Sequence, residues 1–373
     1  MKFAHLADTH LGYRQYNLQE REDDFYIVFE KIIDDIIEKK VDFILHNGDM
    51  FDASKPPIRT LIKAQKAFMK LQKAGIPIYC IPGNHDKMMR KNAIIPQELF
   101  KGYGLNIISF EKTYYEYKDT LITGLPYISP NTKNYKEILQ KKLKDLENKK
   151  KEYKTSILML HGSLNTYFDI NPEFTLEDIP DGFTYYAMGH LHKRLINTDF
   201  RGNTLSYPGS TEIWSTTEIP NYEKMKKGYN LVTIESNKTN VELINIPLNR
   251  QIKKITIPYP ELDEELKKLK EYTKTNHMPI IHITIKGGDF DKKDVYTKIM
   301  NNLEKQCLSI RTQYEPTQTI EDQTTQKLQE YNNKNITNLG LELYKQLSQS
   351  KTLEAHKTTQ NYYNKIYGDN NDN

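Results

Sequence analysis

Two cysteines and a single tryptophan stand among 373 residues. Cys80 and Cys307 lie far apart, each in an apolar run, so no disulfide framework is expected. Both thiols read as buried groups in a reducing cytoplasm. No stretch approaches the ~18 apolar residues of a membrane-spanning helix. With 37% hydrophobic residues the chain is polar overall, yet it holds real core segments. An excess of one charge sign is missing too. The net charge is +4 with both signs interspersed, which permits a nucleic-acid partner without arguing for one. No internal repeat is present. Met1 leads straight into a strand-like Lys2 to Ala7, so no signal peptide is expected. The length suits two or three domains.

What is there begins with alternating strands and helices. A strand over 3–7 leads to Asp8-Thr9-His10. An amphipathic helix over 20–40 follows, with Phe25, Val28, Phe29, Ile32, Ile33, Ile36 and Ile37 at helical spacing. The strand Val41 to Leu45 runs into Asn47-Gly48-Asp49. Pro56-Pro57 opens a second helix that stops at Gly75, and the strand Ile76 to Ile81 ends in Pro82-Gly83-Asn84-His85-Asp86. A basic patch (Lys87, Arg90, Lys91) and another helix come next, then strands near 105–110 and 120–125. Residues 134–154 predict a Lys/Glu-laden, solvated helix. Strands over 156–160 and 185–188 end at His161-Gly162 and Gly189-His190-Leu191-His192. Strands near 204–208, 228–235 and 241–246 follow without helices between them. This shift predicts two packed sheets with helices outside. From Ile252 a compact second α/β unit is expected, and beyond Tyr314 a Thr/Gln/Asn-rich linker. Residues 335–366 carry two weak amphipathic patterns with too little apolar area to fold alone, so they need a partner. The tail, Gly368 to Asn373, reads as disordered.

Five motifs share one feature: each stands at the end of an expected strand, where α/β sheets place their ligands. They supply carboxylates, an asparagine amide and several imidazoles, but no thiolate. That set fits manganese, iron, zinc or magnesium, and its hard oxygens lean towards manganese. One carboxylate shared by two ions would hold them ~3.5–4 Å apart, the spacing of two-metal phosphoryl chemistry. Glycines beside the ligands are expected to let a substrate phosphate approach the backbone.

The order D-x-H, G-D, G-N-H-D, H, G-H-x-H resembles the calcineurin-like metallophosphoesterase superfamily. Within it, KFAHLADTHLG, GDMFDASKPP and SYPGST at 206–211 look like the DNA-repair nuclease family called Mre-eleven, or SbcD in bacteria. The likeness covers most of 1–250 and weakens beyond. It implies a four-layer α/β/β/α sandwich over 1–250, a small α/β capping domain over 251–313, a linker over 314–334 and a helical docking segment over 335–373. It assigns one metal to Asp8, His10, Asp49 and His192, and a second to Asp49, Asn84, His161 and His190. His85 matches the catalytic histidine, which orients the scissile phosphate or protonates the leaving 3′ oxygen. Two Mn2+ per subunit, 3′→5′ exonuclease activity on duplex DNA and endonuclease activity on single strands and hairpins are implied as well. So are a homodimer through 57–73 and 93–103, docking of 335–366 on the coiled coil of an SMC-like ATPase (Rad-fifty), and a cytoplasmic, nucleoid-associated location without a membrane. One position departs: archaeal and eukaryotic relatives often carry a second histidine three residues after the bridging Asp, where this chain has Asp52, as bacterial members do.

Other assignments stay open on sequence alone. Asp86 either accepts a hydrogen bond from His85 or caps its turn. Trp214 lines the site or merely packs. Asp52 positions substrate or does nothing. Tyr13, Arg14, Tyr16, Lys55, Arg59, Lys87, Arg90 and Lys91 flank the motifs as candidate DNA contacts, each with a plain surface role as its rival. His5 and His46 read as packed strand histidines, and His277 and His282 as structural. Two other functions compete: a small-molecule phosphodiesterase on the same site, and a scaffold that holds an ATPase on DNA ends.

Overall fold

The stripe read at helical spacing forms α1 (Gln19–Glu38), where Phe25, Val28, Phe29, Ile32, Ile33 and Ile36 are buried. The protein is described by a computed structural model over residues 1–86, 94–168, 170–236 and 238–315. The expected basic patch at Lys87, Arg90 and Lys91 therefore lies outside the described residues, as do the linker and docking segment from 316 on. α1 connects β1 (Lys2–Leu6) to β2 (Phe43–Asn47), and α2 (Ile58–Lys73) connects β2 to β3 (Ile78–Ile81). The helix expected near 93–103 is a run of 3-10 turns over Pro96–Tyr103, which leads to β4 (Leu105–Ile107). β1 to β4 pair in parallel.

The chain then builds a second sheet from β5 (Tyr114–Tyr117), β6 (Thr120–Gly124), β7 (Thr155–His161), β8 (Tyr185–Gly189), β9 (Leu195–Phe200) and β10 (Asn203–Tyr207), in the order β5-β6-β7-β8-β10-β9. Its central strands are parallel and both edges antiparallel. α3 (Tyr135–Lys150) lies between β6 and β7, and the short α4 (Ile219–Lys224) precedes the return to the first sheet. There β11 (Gly228–Glu235) and β12 (Lys238–Asn245) add antiparallel beside β1, giving the order β12-β11-β1-β2-β3-β4.

Packing follows from which face each strand residue takes. Phe3, Phe43, Tyr79, Ile122, Ile157, Met159 and Tyr185 fill the space between the sheets, with Phe3 stacked on Phe43 at 4.8 Å. On the other face of the first sheet, Ala4, Leu6, Ile44 and Cys80 meet Ile32, Phe68 and Leu71 of α1 and α2. Leu158, Leu160 and Met188 of the second sheet meet Leu139, Leu143 and Leu146 of α3. The result is four layers, α/β/β/α, with buried strands hydrophobic on both sides. Here the sequence expectation needs correcting. α3 is not merely solvated, because one narrow leucine stripe covers the second sheet while its lysines and glutamates face water.

Two compact units divide the chain, Met1–Arg250 and the part from Gln251 on. In the second, β13 (Ile252–Pro258), α5 (Leu262–Tyr272), β14 (Ile280–Lys286), α6 (Lys292–Leu303) and β15 (Ser309–Glu315) form a parallel three-stranded sheet with crossover helices. Ile257, Leu266, Ile281, Ile283, Ile299 and Leu303 are its separate core. Asp291 caps α6 by accepting from the backbone of Lys293 and Asp294. No helix among the described residues is long and apolar enough to cross a membrane.

Candidate metal centre

Loops after β1, β2, β3, β7 and β8 bring the five motifs together at the carboxyl ends of parallel strands. The first two loops are zipped to each other: Asp8, His10 and Leu11 donate their amides to the carbonyls of Gly48, Asp49 and Met50, each at 3.0 Å. The backbone is forced at the chemistry. Asp8, His10, Asp49 and His190 have φ of 52°, 41°, 50° and 90°. Left-handed conformations of non-glycine residues cost on the order of 1–3 kcal/mol each and collect where side chains must converge. Glycine serves convergence in a different way from that expected. A Cβ on Gly83 would stand 2.1 Å from Asp49 Oδ1, and one on Gly48 2.2 Å from His161 Nδ1. Both make room for the protein's own ligand side chains.

Each inward-facing histidine is anchored through one ring nitrogen. His10 Nδ1 lies 3.2 Å from Asp52 Oδ1, His192 Nδ1 2.9 Å from Glu218 Oε1, and His161 Nδ1 2.7 Å from the Asn47 carbonyl. The opposite nitrogens converge. His10 Nε2 and His192 Nε2 are 3.1 Å apart, and His161 Nε2 is 2.9 Å from Asn84 Oδ1. His190 is turned round, with Nδ1 3.1 Å from Asn84 Oδ1 and Nε2 3.7 Å from Glu173 Oε1. Asp49 reaches both sides: its Oδ2 lies 3.4 Å from His161 Nε2 and 3.9 Å from His10 Nε2. Among the described residues three sets of ligand atoms lie within 4.8 Å of one another, Asp8-His10-His192, Asp49-His161-His190 and, at the open side, His10-Asp52-His85. The donor set suits divalent cations. Fixed outer hydrogen bonds leave the inner atoms as lone-pair donors that need a positive charge between them.

The protonation of the metal-free centre reflects the same need. Burial lifts the Asp8 carboxyl to about 7, against the pull of His161. Burial also opposes charge on Asp49, but His161 and His10 hold its carboxyl well below the usual range. Against its own burial, His161 is raised to about 10 by the Asp49 carboxylate. Burial and the neighbouring His161 push His190 down to about 4. A proton on His161 thus occupies the role a cation would take.

His85 stands at the open side, with a third of its side chain exposed (30%). Its amide donates to Asp49 Oδ1 at 2.9 Å, and its Nδ1 lies 2.8 Å from the Asp52 carbonyl. Its partner is therefore not Asp86, which corrects one of the two sequence readings. The Asp86 carboxylate is fully buried and accepts from the amides of Gly83 (2.9 Å), Phe51 (3.1 Å) and Met50 (3.2 Å), so it ties the Asp49 loop to the His85 loop. Asp52 is engaged as well, through His10 Nδ1 and through Trp214 Nε1 at 3.1 Å. Trp214 lines the site, 5.4 Å from the ring of His192 and 5.7 Å from that of His10. His46 and His5 are packed strand residues, bonded to Thr9 and Tyr185.

Sequence reasoning missed Glu173 and Glu218, the carboxylates behind His190 and His192. Burial opposes the charge on Glu218, yet Lys227 and His192 lower its pKa to about 2. Candidate DNA contacts fare unevenly. Arg14 and Lys55 are exposed, and Tyr13 stacks on Trp214 at 5.3 Å. Tyr16 has a left-handed backbone, φ 59°. Arg59 is already paired with Asp23 and, at 3.6 Å, with Glu22.

Residues 1–194 match the calcineurin-like phosphoesterase family model. A DNA double-strand break repair protein Mre11 from Methanococcus maripaludis is 36% identical over 298 residues, 76% of this chain and 78% of that one. Its counterpart from Sulfolobus acidocaldarius is 35% identical over 79% of this chain and 77% of that one. Another, from Methanocaldococcus jannaschii, is 39% identical over 65% of this chain and 64% of that one. The chain belongs to the Mre11 family of calcineurin-like phosphoesterases.

Proposed function

We propose that this chain is the two-metal nuclease subunit of a DNA double-strand-break repair complex. It acts as a 3′→5′ exonuclease on duplex DNA and as an endonuclease on single strands and hairpins. One observation carries the reading: buried carboxylate and imidazole ligands converge in adjoining groups, with the partly exposed His85 beside them. Asp8, His10, Asp49 and His192 would hold one divalent cation, and Asp49, Asn84, His161 and His190 the other. Manganese, bound there, would supply Lewis-acid stabilisation of phosphoryl charge and lower the pKa of the attacking water. The attacking water gives up one proton to solvent and its oxygen bonds to phosphorus as the bond to the 3′ oxygen breaks, while His85 gives its Nε2 proton to that 3′ oxygen. The Asp52 carbonyl keeps the His85 ring turned for this by accepting from Nδ1–H. Arg14 and Lys55, exposed near the centre, contact backbone phosphates, which gives affinity without sequence preference.

Self-association through 57–73 and 93–103 is supported by exposed apolar side chains there: Ile58 (77% exposed), Ile94 (73%) and Leu99 (61%). The second unit serves as a cap that shapes the DNA cleft, and 335–366 docks on the coiled coil of an SMC-like ATPase. These roles rest on family resemblance and on the small apolar area that the sequence of 335–366 carries. A small-molecule phosphodiesterase is the rival use of the same centre. Purified protein with manganese that hydrolyses a generic aryl phosphodiester but leaves linear duplex DNA intact favours the rival and ends the nuclease reading.

A further inference from the structure

Trp214 approaches His85 without bonding to it; the rings are 6.1 Å apart and nearly perpendicular. The connection runs through Asp52. Trp214 Nε1 donates to Asp52 Oδ1 at 3.1 Å, and the carbonyl of the same residue receives His85 Nδ1 at 2.8 Å. Asp52 is one-quarter exposed (24%); its amide donates to the Leu11 carbonyl at 3.1 Å, and its side chain is gripped as well, which fixes the direction of its own carbonyl. Two groups grip it, His10 from the metal side and Trp214 from the solvent side.

Trp214 is in turn held from behind. Its carbonyl accepts from Gln15 Nε2 at 2.9 Å. The Gln15 Oε1 accepts from Arg21 Nε at 2.9 Å. Arg21 is wholly buried and also donates to Asp24 (2.7 Å), Glu212 (3.3 Å) and the Ile213 carbonyl (3.1 Å). A buried guanidinium held by four directed bonds is a stiff anchor, because breaking one member strands a buried charge. It fixes the 212–214 segment on α1, a helix that contributes no candidate ligand.

We propose that Trp214 is a positioning residue: anchored by Arg21 and Gln15, it fixes Asp52 and thereby the ring orientation of His85 as proton donor to the leaving oxygen. The inference rests on the nuclease reading above for the role of His85. It makes a prediction that a packing role does not. Loss of the indole N–H slows only reactions whose leaving group needs a proton.

The test compares two substrates on the full chain with manganese. One is duplex DNA, whose 3′-oxygen leaving group is basic. The other is the 4-nitrophenyl ester of thymidine 5′-phosphate, whose phenolate leaves unprotonated. Trp214→Phe keeps the ring packing and removes the donor. The expected result is a kcat on DNA lower by about tenfold with KM unchanged, since general acids contribute about 10²–10⁴ and only their alignment is lost. Hydrolysis of the nitrophenyl ester stays within about twofold, with the bound-metal count unaltered. Gln15→Glu, which removes the donor to the Trp214 carbonyl and keeps an acceptor for Arg21 Nε, shows the same split and serves if Trp214→Phe does not fold. Equal loss on both substrates, or no loss on DNA, overturns the proposal. A wild-type protein that cleaves the ester but never DNA overturns the nuclease reading itself, a separate outcome.

Discussion

His10 and His192, 182 residues apart in the chain, face each other with their Nε2 atoms 3.1 Å apart, and each ring is held from behind by a carboxylate. Asp52 is the carboxylate for His10, and Glu218 for His192. The two histidines and Asp8 offer ligand atoms within 4.8 Å of one another, a group able to hold a cation. If it does, Glu218 matters although it touches neither substrate nor ion. Glu218→Gln keeps the shape but weakens the hold on His192, and the ion pair with Lys227 is lost with it. Manganese affinity at the His10 side should fall about 10–100-fold. Titration calorimetry reads this directly, and an unchanged affinity would remove Glu218 from the centre.

Asp49 reaches both ligand groups, whereas Asn84 lies against His161 and His190 alone. Asp49→Ala should therefore abolish tight binding of two ions, while Asn84→Ala mainly weakens the second. Counting bound metal in both variants separates these outcomes. Two tight ions in Asp49→Ala would contradict the sharing of that carboxylate.

Asp86 has a structural task with a measurable size. Asp86→Ala strands three buried amides, those of Gly83, Phe51 and Met50. At about 1–3 kcal/mol for each unsatisfied buried group, the loss is on the order of 3 kcal/mol or more. The thermal midpoint of the metal-free protein should fall by about 6 °C or more. Asp86→Asn, which keeps one acceptor oxygen, should fall less.

Metal binding must displace protons. The Asp8 carboxyl sits at about 7 and His161 at about 10 in the metal-free protein, both above their unfolded values. A raised pKa stabilises the fold below the unfolded value, and that contribution is lost as pH rises through the folded one. The metal-free protein should thus lose stability as pH climbs from about 4 to 7 through Asp8, and from about 6.5 to 10 through His161. Manganese relieves both, so its affinity should increase with pH over the same windows. Calorimetry at pH 6 in buffers of different ionisation heat should detect net proton release. Proton uptake would contradict the assigned charge states.

Much of this centre was legible before the fold was known. Asp8, His10, Asp49, Asn84, His161, His190 and His192 each follow an apolar strand, and strands announce themselves by composition. Their convergence needed only that parallel strands end on the same side. Glu173 and Glu218 were not legible. They stand in loops and turns where glutamate is ordinary, and only the packing of the second sheet brings them behind His190 and His192. The same holds for Asp86, whose two sequence readings differ by the direction of one side chain. α3 was misjudged because its leucines at 139, 143 and 146 are few among many lysines. β5 and β9 were overlooked because their exposed edges carry Tyr, Glu, Asn and Asp in place of an apolar run.

The central claim is that Asp8 to His192 form a two-metal phosphodiesterase centre in which His85 completes DNA cleavage. A time course on 3′-end-labelled linear duplex DNA tests it, with manganese, magnesium or chelator, for the wild type and His85→Ala. The expected result is manganese-dependent release of labelled nucleotide by the wild type. In His85→Ala, cleavage should be at least about 100-fold slower while two ions and DNA remain bound. Undiminished cleavage by His85→Ala, or equal cleavage in chelator, would contradict it.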